Sequence, residues 1–374
     1  MKKSRLIICL LLVFSLVLIT MAGCGGNKQA PAPAPAPAPA PSTAGSAPAP
    51  APAPADDWGG ITLTLVTNYP ASSYNMYIYE YWAERVLEVT DGKVVADIIP
   101  GETLMKSADQ LPGVLDGVAD MVMTDPSYNP EYWPLVSGFN LSGVVMENSS
   151  VVTYAAAEFI RESDYAELKQ LKMMWANGLT PQGFQGNLNL TKLEDFAGKQ
   201  IRANGFSVGP INRLGATAVA MSAPDTYEAV LKGTVDTALI GLDALATYNL
   251  AEVSKYVVMR KGLTNTFHYC GMNVDTWNKI PPEYQAKIEE INKECIEVQA
   301  PRWDASAEIG LEKARERGVE INEITGAERD RILEYLLPAR DEWVEKMKGQ
   351  GFDNAQEVLD RIEALAKKYS AIYG

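Results

Sequence analysis

Ser207 and His268 are the residues of this chain whose types and order come nearest to nucleophilic chemistry. Ser207 stands in Gly205-Phe206-Ser207-Val208-Gly209, the pattern of a sharp strand-to-helix elbow that lifts a serine hydroxyl clear of its sheet. Asp225 or Asp236 follows, then His268, the single histidine, in the chain order of an extracellular serine hydrolase. The rest of the chain gives this chemistry little help. Carboxylates are plentiful, yet none is singled out as one of a pair held in different environments for acid–base work. No His/Cys spacing matches a metal centre, and no Gly-x-x-x-x-Gly-Lys-Ser/Thr loop cradles a nucleotide. The sequence implies neither a metal nor any other cofactor.

The elements that must position such residues alternate between strand and helix. Ile61–Thr67 alternates and is β-branched, so it reads as a strand; Tyr74, Ile78, Tyr81/Trp82, Arg85/Val86 and Val89 recur at helical spacing. A strand at Lys93–Ile99, a helix at Ser107–Leu115 and a strand at Ala119–Met123 complete a βαβαβ order. That order predicts a mostly parallel sheet with ligands at the carboxyl ends of its strands. A second alternating region runs from Leu171 to about Asp275, with strands near Met173–Asn177, Gln200–Ala203, Ala218–Met221, Thr237–Ile240 and Phe267–Val274. Pro282–Arg317 then reads as one long helix containing Pro301, Val319–Ile324 as a short strand, and Thr325–Lys348 and Asp353–Ser370 as helices. Asp353 and Gln356 occupy capping-box positions on the last. Two α/β lobes joined by a long helix make a two-lobed binding architecture, of the periplasmic-binding-protein-like type.

Residues 1–23 read as a leader. Lys2, Lys3 and Arg5 precede the apolar run Leu6–Ile19, and Met21-Ala22-Gly23-Cys24 fits a lipobox in which Cys24 receives a diacylglycerol. An ordinary secretory signal with a chance cysteine is the alternative, and both place the protein outside the cytoplasm. Residues 24–57 carry the lipidated cysteine and an Ala-Pro tract, broken once by Ser-Thr-Ala-Gly-Ser at 42–46. This composition favours polyproline II and a semi-rigid spacer. The body is then 58–374. One lobe covers roughly 58–178 plus part of the C-terminal region, the other roughly 179–275, with the long helix and C-terminal helices in 282–374.

The chain carries 33 basic and 47 acidic residues. Setting aside Lys2, Lys3, Arg5, Lys28, Asp56 and Asp57 leaves 29 against 45, a net charge of −16. Such acidity speaks against nucleic acid, which selects basic patches. Cys270 and Cys295 are the cysteines of the body, and they either pair or remain as two buried thiols.

The segment Gly198-Lys199-Gln200-Ile201-Arg202-Ala203-Asn204-Gly205 resembles a stretch of the TRAP-transporter substrate-binding proteins, the DctP-type family. Leu214-Gly215-Ala216, Met221, Asp225-Thr226-Tyr227-Glu228-Ala229-Val230 and Lys232-Gly233-Thr234-Val235-Asp236 follow in that family's order and spacing. Val94–Gly101 with Leu104, and Val114–Met121, resemble its first-lobe blocks. The resemblance implies an extracytoplasmic receptor that captures an organic acid between its lobes and hands it to membrane permease subunits. It also implies that Arg202 pairs with the substrate carboxylate. Arginine suits this because its planar fork gives two charge-assisted hydrogen bonds and stays ionised when desolvated. Arg202 ends an expected strand, where such a sheet presents ligands; the alternative is an arginine bridging Glu194 or Asp195.

The departures from the family pattern shape the substrate expectation. Ile240 stands where a polar Asn is common, Ala223 where an aromatic is frequent, and Asn177-Gly178 is followed by Leu179-Thr180-Pro181-Gln182 without the family's second arginine. One carboxylate anchor is thus kept while the pocket gains volume and apolar surface. The expectation is a bulkier, partly apolar monocarboxylate rather than a small dicarboxylate. Further candidate contacts come from strand ends. They are Asn204 and Phe206 beside Arg202; Tyr69 and Tyr74, with Asn68, after the first strand; and Asp125 and Tyr128, with Thr124, after the third. Gln182, with Phe184, lies in the loop after Gly178, Met221 and Tyr227 flank a turn, and Asp243 follows Gly241. His268 is either a polar contact in the cleft or a satisfied structural histidine. Transport is the first reading, and presentation of the ligand to a membrane sensor kinase is the alternative within the same fold. The expected protein is a monomer, anchored through Cys24 on the outer face of the cytoplasmic membrane.

Overall fold

The computed structural model describes residues 58–144, 146–260 and 265–374. The leader, Cys24 and the Ala-Pro tract lie outside the described residues. Chain order begins with β1 (Ile61–Thr67), α1 (Tyr77–Val89), β2 (Val94–Ile99), α2 (Ser107–Leu115), β3 (Met121–Thr124), α3 (Ser149–Glu162) and β4 (Lys172–Gly178). It continues with β5 (Gln182–Gly186), β6 (Gln200–Ala203), α4 (Val208–Arg213), β7 (Thr217–Ala220), α5 (Thr226–Leu231), β8 (Thr237–Gly241), α6 (Ala244–Thr247) and β9 (Tyr256–Met259). Then come β10 (Phe267–Met272), α7 (Val274–Asn278), α8 (Pro282–Glu316), β11 (Glu320–Glu323), α9 (Gly326–Leu336), α10 (Ala339–Gly349) and α11 (Ala355–Tyr373).

These strands form two sheets, one per lobe. The first has the order β2-β1-β3-β10-β4 and the second β11-β9-β5-β8-β6-β7. In the first, β2, β1 and β3 run parallel, whereas β10 is antiparallel to both of its neighbours. β10 follows β9 in sequence yet returns to the first sheet, so the chain crosses between lobes at β4–β5 and again at β9–β10.

Local pattern explains most elements. Ile78, Trp82 and Val86 lie four residues apart on one face of α1 and are fully buried. Burying each contributes about 1.5–3 kcal/mol. The Trp82 indole N–H donates to Asn292 Oδ1 at 2.9 Å, so that side of α1 is fixed to α8. The last helices differ from the sequence expectation. Pro338 separates α9 and α10, where one helix is expected, because proline removes a donor and clashes with the preceding turn. The cap before α11 is Asn354, without a side-chain cap bond, so Asp353 and Gln356 form no capping box.

α8 spans both lobes. Tyr284, Ile288, Ile291, Cys295 and Trp303 bury against the first sheet, and Ala307, Leu311 and Ala314 against the second. Pro301 lies inside the helix, two residues before Trp303, and the passage from one core to the other falls between Trp303 and Ala307. Cys270 and Cys295 are both buried and free. Among the described residues no helix is long and apolar enough to cross a membrane.

Candidate functional site

Strand ends from both sheets converge on one cavity of about 40 Å³. Asn68 and Tyr69 follow β1, Asp125 and Tyr128 follow β3, Arg202 and Asn204 come from the end of β6, and Asp243 from the turn after β8. Thr266 and His268 open β10, which reaches the same edge from the opposite direction. Ligands gather there in α/β sheets because the connections leave a crevice at the carboxyl ends of parallel strands.

Arg202 is the centre of this arrangement. It is 2% exposed, its Nη1 donates to Leu239 O at 3.1 Å and its Nη2 to Met221 O at 2.9 Å. Both partners are main-chain carbonyls of the second lobe, so the guanidinium is positioned without being neutralised. Its Nε is buried without a partner, and none of the ion pairs among the described residues includes it. A buried cation with unspent N–H donors favours an oxyanion, since leaving it unpaired costs several kcal/mol. Asp125 lies within its field but bonds elsewhere: to Ser127 N at 2.8 Å, Thr266 Oγ1 at 2.8 Å and Asn204 Nδ2 at 3.0 Å. Burial raises the Asp125 pKa, and those hydrogen bonds with the Arg202 charge oppose the rise.

A second carboxylate, Asp243, accepts from Thr180 Oγ1 at 2.7 Å and is pushed up by burial to about 6. His268 is driven down to about 3 by burial, so it is neutral at physiological pH, and its Nδ1 lacks a partner. Tyr69 meets His268 edge to face at 5.5 Å, and Trp303 backs both rings. The wall is thus aromatic on one side and polar on the other, with apolar relief from Leu179, Ala223, Ile240 and Ala244.

Of the candidates read from sequence, Arg202, Asn204, Tyr69, Asp125, Tyr128, Gln182, Asp243 and His268 line this cavity, as does Asn68. Four others stand elsewhere. Tyr74 is 39% exposed and packs beneath the Arg302 guanidinium, 4.4 Å from its ring, because a 3-10 turn carries it past the strand end towards α8. Phe206 turns from the cleft to a groove of about 1120 Å³ shared with Trp343 and Tyr335, and Tyr227 packs into the core of the second lobe. Met221 contributes its carbonyl to Arg202 rather than its side chain to the cavity. Gln182 and Phe184 belong to strand β5, not to a loop. Tyr248 and Thr266 were not singled out in the sequence; Thr266 lies just before β10, and a strand start was the signal that marks it. The pocket is small rather than roomy, because in this arrangement the lobes abut: Gly205 approaches the Ser127 carbonyl so closely that an added Cβ would stand under 3.0 Å from it.

The elbow chemistry does not assemble. Ser207 is buried in a 3-10 turn of the second lobe and His268 is on a strand of the first, with no hydrogen bond between them. His268 has neither the basicity nor the orienting partner that a triad needs.

The profile of the family described as bacterial extracellular solute-binding protein, family 7 (DctP) matches residues 66–347. The chain belongs to this family. It is a solute-binding protein and not an enzyme. Among solved structures, a TRAP solute-binding protein from Rhodoferax ferrireducens in complex with copurified benzoate superposes with a TM-score of 0.79 at 21% identity, covering 84% of this chain and 100% of that one. A Bordetella bronchiseptica TRAP periplasmic solute-binding protein with bound (R)- and (S)-mandelate gives 0.75 at 20% identity, over 82% and 99%. At the sequence level the chain is 22% identical to the outer membrane transporter protein TsaT of Comamonas testosteroni over 305 residues, 79% of this chain and 89% of that one. Structural likeness at this identity shows the two-lobed fold. The roles of individual residues in this family member rest on its own geometry.

Proposed function

We propose that this DctP-family protein is the extracytoplasmic receptor of a TRAP-type secondary transporter for an organic acid with a partly apolar body. One ligand carboxylate sits on Arg202, the lobes close over it, and the loaded receptor delivers it to membrane permease subunits. The observation that carries this reading is the buried Arg202 guanidinium, held by Leu239 O and Met221 O with no carboxylate of its own. An apolar body is supported by Tyr69, Leu179, Ala223 and Ile240 on the wall. It is in keeping with the benzoate and mandelate held by the two similar proteins. Arg202 calls for at least one ligand carboxylate. Anchoring through a lipid on Cys24, and action as a monomer on the outer face of the cytoplasmic membrane, belong to the same proposal.

The test is a thermal-shift screen of ligand-stripped protein against aromatic and aliphatic acids, sugars and amino acids. A ligand that binds only the native form raises Tm by mass action. The expected result is that hits are organic acids and vanish in a folded Arg202→Ala variant. Hits on neutral compounds, or acid binding indifferent to Arg202, would overturn the reading.

A further inference from the structure

A second guanidinium is buried beside the cleft and takes no part in the site described above. Arg260, directly after β9, is 3% exposed. Its Nη2 donates to Gln182 Oε1 at 3.0 Å, its Nε is buried without a partner, and none of the ion pairs among the described residues includes it. Burial pushes its pKa down, to about 9, and Glu147, the carboxylate on the wall of the same small cavity, forms no ion pair with it among the described residues. Arg202 at least has Asp125 in its field, so Arg260 is the less compensated of the two charges. An isolated buried cation is strongly unfavourable unless an anion meets it.

Its location gives that charge a use. β5 and β9 pair antiparallel with Gly183 opposite Met259, which brings Gln182 opposite Arg260 at the edge of the sheet. Gln182 is on the wall of the Arg202 cavity. Together with Leu179 and Thr266 it also lines a smaller cavity, about 10 Å³, that Arg260 itself lines. The two guanidinium groups therefore serve adjoining cavities with a shared wall, and a neutral amide stands in as the acceptor for Arg260. The Phe184 ring, 5.7 Å from the Arg260 guanidinium, keeps the surroundings apolar.

We propose that Arg260 is a second anion anchor of this cleft, and that the ligand is a two-headed organic acid whose second carboxylate takes the place of Gln182 Oε1 on Arg260. This rests on the Arg202 reading and extends it. The sequence points to one carboxylate because no arginine follows Asn177-Gly178; the second charge arrives instead from the neighbouring strand. A carboxylate outcompetes the Gln182 amide because it brings a full negative charge to the guanidinium and accepts two parallel N–H bonds where the amide oxygen takes one.

The experiment is titration calorimetry of the complete chain with matched acids on common skeletons: benzoate and benzene-1,3-dicarboxylate, phenylacetate and 1,3-phenylenediacetate, hexanoate and hexanedioate. In at least one pair the dicarboxylate is expected to bind about tenfold tighter or more, the effect of about 1.4 kcal/mol. Arg260→Met should bring the two affinities of that pair to within about threefold. Gln182→Glu should do the same by supplying a resident carboxylate to Arg260, and it keeps the buried charge paired if Arg260→Met fails to fold. The proposal is overturned if no second carboxylate tightens binding, or if the tightening survives both substitutions. Failure of the Arg202 reading is seen separately, as acid binding that Arg202→Ala leaves intact.

Discussion

Asn204 Nδ2 lies 3.0 Å from Asp125 Oδ2, and this hydrogen bond ties the end of β6 in one lobe to the residue after β3 in the other. The segment after β3 meets the second lobe again, at the turn after β7, where the Tyr128 hydroxyl accepts from Ala223 N at 3.2 Å. Arg202 lies two residues before Asn204. The interlobe contact and the proposed anion-binding group are thus built from one strand end, so under the proposed function ligand capture would be coupled to lobe closure. A ligand drives closure only through the extra contacts that it makes in the closed form.

Loss of that bond is expected to show in the lifetime of the complex. Asn204→Ala removes a hydrogen bond to a buried carboxylate, worth about 1.5–3 kcal/mol. Ligand affinity should fall about tenfold, chiefly through faster dissociation in stopped-flow measurements. Unchanged dissociation would mean that the bond contributes nothing to holding the lobes together.

Closure itself is tested at Gly205. Its close approach to the Ser127 carbonyl leaves no room for a side chain, while its backbone conformation suits any residue. Gly205→Val should fold normally yet hold the lobes apart. Small-angle scattering should then show compaction on saturation in the wild type and none in the variant, with affinity reduced. Equal compaction in both would refute the abutment.

The buried carboxylates set a pH dependence. Asp243 is raised from 3.8 to about 6, and Glu167, half-buried and accepting from the main-chain N–H groups of Leu135 and Val136, from 4.5 to about 7. Between the ordinary and raised values the native state binds more protons than the unfolded chain. The stability these groups contribute is therefore complete below the ordinary carboxylate range and is lost as pH rises through about 6 and 7. Asp243→Asn does not titrate, so its Tm relative to wild type should be more favourable at pH 8 than at pH 4 by calorimetry of the ligand-free protein. A difference independent of pH would contradict the raised value.

Gly310 tests the seat of α8 on the second lobe. A Cβ there would stand under 3.0 Å from the Leu242 carbonyl, and the obstacle is main chain that cannot rotate away. Gly310→Ala gains about 0.5–1 kcal/mol of helix propensity but loses about 1–3 kcal/mol to overpacking. A net fall in Tm of a few degrees is expected, and a rise would show that α8 shifts freely over this lobe.

Much of the scaffold was legible in the sequence because its signals are local. Ile61–Thr67 and Gln200–Ala203 coincide with β1 and β6, and Ser107–Leu115 with α2, since alternation and helical spacing are properties of neighbouring residues. β5 was not legible. Its sequence, Gln-Gly-Phe-Gln-Gly, has low strand propensity and is a strand because β8 and β9 bond it on both sides. Reading Gln182 as a loop residue follows from that gap. Phe206 and Tyr74 misled for another reason: nearness to a strand end fixes where the backbone is, whereas the turns after β6 and β1 decide which way the ring goes.

The sequence by itself determined the alternating two-lobed body, its family resemblance and the presence of Arg202 at a strand end, because each is encoded within a few contiguous residues. Tertiary structure alone decided that Arg202 is held by two carbonyls and left without a carboxylate, and that Asn204 meets Asp125 across the cleft. It also decided that Arg260 stands buried behind Gln182. Those relationships join positions tens of residues apart, and only strand pairing and lobe closure bring such groups out of water and within bonding distance.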